Sequence, residues 1–129
     1  MTEQSAAPLR RGSIVWRGRA TWLVYEVADR RVRAYRISSR SRTLRSSDLA
    51  IVAPAEQLLT RISGLPVVRL AAAQRLKADG LEYAGELSGQ TMCRVTQALV
   101  RLAADAAAEE RWNADRRHRA RAAENRCAV

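Results

Sequence analysis

Residues 11–39 read RGSIVWRGRATWLVYEVADRRVRAYRISS, and the fold class follows from them. Runs of β-branched and aromatic residues are punctuated by Arg17-Gly18-Arg19 and Ala28-Asp29-Arg30, compositions that suit turns between strands. The spacing predicts strands over Ser13 to Trp16, Ala20 to Val27 and Val32 to Ile37, joined by Thr43 to Ser46 and Ala50 to Val52. Period-two alternation puts Leu23, Tyr25 and Val27 on one face of the second strand and Trp22, Val24 and Glu26 on the other. Short strands with tight turns in so few residues predict a small SH3-like β-barrel, because closure protects most of the sheet edges.

Past Pro54 the period changes to that of a helix. Ala55 to Ile62 predicts a short helix stopped by Ser63-Gly64, and Pro66 to Asp79 predicts a second, with Pro66 in its first turn and Gly80 as its stop. Ser88 is the expected N-cap of a third and longest helix reaching about Arg126. It carries Met92, Val95, Leu99, Leu102 and Ala106 at spacings of three and four. The expected fold is α+β: a disordered lead over residues 1–8, an N-terminal SH3-like β-barrel over 9–53, a helical segment over 54–110 and a basic helical tail over 111–129.

Charge is distributed unevenly along this plan. The chain of 129 residues carries a formal net charge of +10, and Lys77 is its only lysine. Between Arg10 and Arg45 stand eleven arginines against two carboxylates, and between Arg111 and Arg126 six against two. Residues 46–110 hold six cations against eight anions, so two basic arms flank a mildly acidic middle. Guanidinium groups bind phosphate bidentately and stack on bases, where an ammonium acts as a point charge. The pattern implies a polyanionic partner or an acidic protein partner.

The residues expected to meet nucleic acid are Arg17, Arg19, Arg31, Arg33, Arg36, Arg40 and Arg42 of the strand region, with Arg116, Arg117 and Arg119 of the tail adding phosphate contacts. Trp16, Trp22, Tyr25 and Tyr35 interleave with them, either as stacking rings or as core. A weaker signal covers Ala71 to Leu102, which reads as helix, connector and second helix. Gln90, Thr91 and Arg94 would then be the major-groove readers of a helix-turn-helix. The stripe Met92, Val95, Leu99 and Leu102 suits a homodimer seam or packing onto the protein's own barrel or second helix.

The run Arg11-Gly12-Ser13-Ile14-Val15-Trp16-Arg17-Gly18-Arg19, with the strands after it and Arg45-Ser46-Ser47-Asp48-Leu49, resembles the small β-barrel that follows the catalytic core in Mu-type and related integrase-like transposases. The resemblance covers residues 10–52 and implies a DNA-contacting or complex-assembling module from a mobile-element setting. No catalytic core precedes it, so recombinase activity is not implied.

Catalytic and metal patterns are sparse. His118 stands alone in the tail, Cys93 and Cys127 form no C-x-x-C pair, and no glycine-rich phosphate loop is present, so neither cofactor nor metal is expected. The paired acids Glu82/Glu86 and Glu109/Glu110 read as surface charges. Two unpaired thiols, no apolar leader and no membrane-length apolar run lead to the expectation of a cytoplasmic protein without a membrane segment. The sequence therefore reads as a non-enzymatic nucleic-acid-binding protein, with DNA favoured over RNA. The alternative is a protein-interaction module, such as a phage-type inhibitor, antitoxin or assembly adaptor, that turns its basic face to an acidic partner.

Overall fold

A computed structural model describes residues 8–39 and 47–127, with side chains described through Asn125. Most of the expected lead, the strand at Thr43 to Ser46, and Arg40 and Arg42 lie outside the described residues. The fold is α+β. Strands β1 (Ser13–Arg17), β2 (Ala20–Ala28), β3 (Arg31–Ser39) and β4 (Asp48–Ala50) are followed by helix α1 (Pro54–Leu59), strands β5 (Pro66–Lys77) and β6 (Glu82–Glu86), and helix α2 (Gly89–Cys127). The chain divides into two compact units, Met1–Ala98 and Leu99–Val129, so α2 contributes its first turns to one and its remainder to the other.

The strands form one antiparallel sheet in the order β4-β5-β3-β2-β1-β6. β4 and β6 are its edges, so the sheet is not closed into a barrel. The first three strands stand where the alternation put them. The helix expected from Pro66 to Asp79 is instead β5, and β6 occupies part of the expected connector to the next helix. Ala, Gln, Arg, Leu and Lys favour a helix in isolation. Pairing with β3 and burial of Val67, Val68 and Leu70 override that preference.

Both sides of the central strands are covered. Val15, Trp22, Val24, Val32 and Ala34 form a buried cluster on one face, with Leu9, Leu76 and Leu81 packed against it. Ile14, Leu23, Tyr35 and Ile37 are buried on the other, as their direct pairing requires. The Tyr25 hydroxyl meets Thr96 Oγ1 at 3.5 Å, and Tyr25 packs edge-on against Tyr35 with centroids 5.9 Å apart. The first turns of α2 therefore lie on the second face, with Val95 fully buried.

Ser88 caps α2 as expected: its Oγ accepts the Thr91 N–H at 3.2 Å. A second, non-local cap comes from the buried carboxylate of Glu56 in α1, which accepts the Ser88 N–H and the Thr91 hydroxyl at 2.5 and 2.7 Å. Negative charge at the helix N-terminus complements its dipole and satisfies otherwise unpaired donors.

Edge strand β6 is held at two points. A Cβ on Gly85, which has φ +155°, would lie 2.8 Å from Leu59 Cδ2. Gly85→Ala should destabilise the protein by about 1–2 kcal/mol. In a Leu59→Ala background the further loss should shrink, and chemical denaturation of the double-mutant cycle checks the coupling. Arg10 makes two bonds to Glu86, at 2.7 and 2.6 Å, while Tyr83 donates to the same carboxylate. The Arg10 hydrogen bond holds the Glu86 carboxyl below its ordinary value of 4.5. A depressed folded-state value means this contribution is complete at neutral pH and is lost as pH falls through it. The stability difference between wild type and Glu86→Gln should therefore narrow on acidification, and a difference that stays constant with pH would contradict this.

Candidate functional site

The site begins with a β-bulge. Val24 pairs with Ala34, but Glu26, not Tyr25, pairs with Arg33, so Tyr25 is an inserted residue in β2. An inserted residue reverses the alternation beyond it. Val27 pairs with Val32 and so takes the Val24 side, while Glu26 turns to the side of Leu23 and Tyr35. The expected face of Leu23, Tyr25 and Val27 is corrected accordingly. β3 runs regularly through the same region and keeps Arg31, Arg33, Tyr35 and Ile37 on one face.

Across three strands this register builds two rows on that face. The inner row is Glu26, Arg33, Arg75, and the outer row, two residues further along each strand, is Ala28, Arg31, Lys77. Asp29, in the left-handed region at φ 53°, and Arg30 make the turn between β2 and β3. Glu26, Ala28, Asp29, Arg30, Arg31, Arg33 and Arg75 line an open cleft of about 820 Å³, and Lys77 stands opposite Arg31 at the end of the outer row.

The electrostatics favour an anion. Arg33 Nη1 lies 3.3 Å from Glu26 Oε1, and this hydrogen bond raises the guanidinium further above its usual range. On its other side Arg33 stands directly opposite Arg75. Like charges directly opposed across a strand pair are destabilising. An oxyanion between them would replace repulsion with two charge-assisted hydrogen bonds. Beneath the row, burial raises the Tyr35 phenol above its ordinary value and keeps it protonated beside Arg33.

The remaining predicted residues are dispersed. Arg17 donates to the carbonyls of Lys77 and Asp79 at 2.6 and 2.8 Å, so it braces the end of β5. Arg19 is exposed at the turn between β1 and β2. Arg36 projects from the opposite face of β3, its guanidinium 5.5 Å from the centroid of the Trp22 ring it covers. Among the described residues, the predicted arginines therefore form no single continuous patch. In the second unit Arg119 pairs with Asp115 at 3.0 Å, and Arg116 and Arg117 line a hollow of about 250 Å³ with Asn113 and Ala120.

The helix-turn-helix is excluded, because β5 and β6 occupy the place of its first helix. Gln90 and Arg94 are exposed, but Thr91 is buried against Glu56 and cannot read a base. Of the expected homodimer seam, Val95 is buried and Met92 packs on Gly12 within the first unit, while Leu99 and Leu102 lie further along the same helix. Glu26, Asp29 and Arg75 were not anticipated as site residues. Arg75 lay in a segment with helical composition, and Glu26 was assigned to the wrong face.

Among the described residues no three His, Cys, Asp or Glu side chains converge as metal ligands would, and no helix is long and apolar enough to cross a membrane. No family model and no curated protein matches the sequence, so nothing bears on the resemblance to the transposase barrel. Solved structures do match. An endoribonuclease from a mycobacterial species superposes with a TM-score of 0.56 at 24% identity, covering 77% of this chain and 93% of that one. A structure described as an endoribonuclease in complex with its cognate antitoxin, also mycobacterial, superposes with a TM-score of 0.57 at 26% identity, covering 74% and 93%. The expectation of a non-enzymatic, DNA-binding protein from a mobile-element setting is overturned by these neighbours, which are described as endoribonucleases, one of them in complex with its cognate antitoxin.

Proposed function

We propose that this chain is an endoribonuclease-type module controlled by a protein partner, and that the cleft at the β2–β3 turn is where RNA binds. The observation that carries the reading is the inner row, which sets one carboxylate and two guanidinium groups side by side across three strands. The fold shared with the endoribonuclease neighbours supports the reaction class, and the antitoxin in one of those structures supports the partner.

Strand cleavage in RNA needs a base to take the proton of the 2′-hydroxyl and cations to hold the phosphate as it gains charge. Glu26 is the carboxylate of the row and supplies the base. Arg33 and Arg75 bind the non-bridging oxygens. The 2′-oxygen forms its bond to phosphorus as the bond to the 5′-oxygen breaks, leaving a 2′,3′-cyclic phosphate and a 5′-hydroxyl. The departing oxygen is protonated by water, which the open cleft admits. DNA lacks the 2′-hydroxyl and cannot react this way.

The same cleft explains control by a partner. An acidic protein segment can satisfy the Arg33–Arg75 opposition as well as a phosphate does, so partner and RNA would compete for the site.

Glu26→Gln should lower cleavage of a single-stranded RNA by about 10²-fold or more while RNA affinity is retained, measured by gel-resolved cleavage and fluorescence anisotropy. Arg75→Ala should weaken binding and flatten the plot of log affinity against log salt by about 0.7 for one lost phosphate contact. Inorganic phosphate should raise the Tm of the wild type and not that of Arg75→Ala. Undiminished cleavage by Glu26→Gln, or equal cleavage of an all-deoxy strand, would sink the mechanism.

A further inference from the structure

The outer row has the cations of the inner row without its base. Arg31 stands directly opposite Lys77, on the face that carries Arg33 and Arg75. Where the inner row has Glu26, the outer row has Ala28, whose methyl group brings no charge and takes little room. Arg31 and Lys77 are both exposed, and no carboxylate lies on the strands at that register to offset them. Of the two acids that line the cleft, Glu26 belongs to the inner row and Asp29 to the turn.

Two residues along a strand advance the row by about 7 Å. Successive phosphates of an extended single strand can span that distance. The backbone that presents the row is fixed: Arg17 donates to the Lys77 and Asp79 carbonyls, and Ala78 N–H donates to the Arg30 carbonyl at 2.7 Å. The ends of β3 and β5 are thus tied together at the place where two like charges oppose each other. Such a pair gains most from an anion held between its members.

We propose that Arg31 and Lys77 form a second phosphate site, which binds the linkage next to the one cleaved and performs no chemistry on it. The assignment rests on the reading of the inner row as the reacting site. It makes the preferred substrate a strand with at least two consecutive phosphates and makes an isolated dinucleoside monophosphate a poor one. It also fixes the path of the RNA along the strand direction of β3, from the inner row toward the turn.

The test uses the full chain and an oligonucleotide with a single ribonucleotide at a position that the wild type cleaves. Neutral methylphosphonates are placed singly at the linkage on either side. For the wild type, one of the two placements should lower kcat/KM by about tenfold or more, the scale of one lost charge-assisted contact, and the other should not. An Arg31→Gln/Lys77→Gln variant, shown by circular dichroism to be folded, should lose the same factor on the unmodified strand and nothing further on the sensitive methylphosphonate strand. Losses that multiply would mean that the row and that phosphate act independently, overturning the site while leaving cleavage intact. Equal sensitivity on both sides, or on neither, would also overturn it. If the wild type cleaves no strand, the reading of the inner row fails instead. The same cycle measured as binding of 2′-O-methyl strands by anisotropy then decides the outer row alone, with coupling supporting it and additivity refuting it.

Discussion

The inserted residue at Tyr25 is the constraint on which the site depends. Without it Glu26 would take the Val24 side of the sheet, where Val27 now stands opposite Val32. The insertion instead aligns Glu26 with Arg33 and Arg75. Tyr25 itself is well held: its ring packs edge-on against Tyr35, Arg11 stacks over it at 4.4 Å, and its hydroxyl meets α2. The packing of Tyr25 thus goes with the face that the end of β2 presents.

The charge pattern of the cleft opposes the stability of the sheet. Two pairs of like charges stand face to face across β3 and β5, and one carboxylate, Glu26, pairs with one of those cations. A sheet selected for stability alone would alternate the signs. Local conflicts of this kind in an otherwise consistent fold tend to mark functional sites, since the penalty is relieved when the ligand arrives. Elsewhere arginines serve the scaffold. Arg61 covers Trp16 at 4.2 Å and donates to Gly18 O, Arg17 braces β5, and Arg69 joins Ser38, Ser39 and Asp48. A high arginine count is therefore not a map of the binding surface.

This division explains how far the sequence could be read. β1 to β3 were legible because alternation and turn residues are local signals, and the start of α2 was legible because Ser88 is a local cap. β5 was not. Its composition suits a helix, and only its pairing with β3, 27 to 46 positions away, makes it a strand. That error concealed Arg75 and Lys77, half of the cations in the two rows. The insertion at Tyr25 left no trace in composition, so Glu26 was placed on the opposite face. Arg31, Arg33 and Arg36 were named together for their density in the strand region, and only the alternation of β3 separates them: Arg31 and Arg33 face the cleft, whereas Arg36, one residue out of phase, covers Trp22 on the other side.

The chemistry of the cleft follows from its dependence on guanidinium. Arginine does not release its proton in the working range of proteins, so Arg30, Arg31, Arg33 and Arg75 can bind and stabilise but cannot act as the acid. Under the proposed reading, proton donation to the leaving oxygen would have to come from elsewhere, and an open cleft makes water the accessible source. Such a site would control its reaction by where it holds the phosphates. A partner would not need to distort it, because carboxylates laid along the two rows would occupy the same positions as the RNA and keep it out. Substrate binding and inhibition would then be two uses of a single charge pattern, set by the register of three strands.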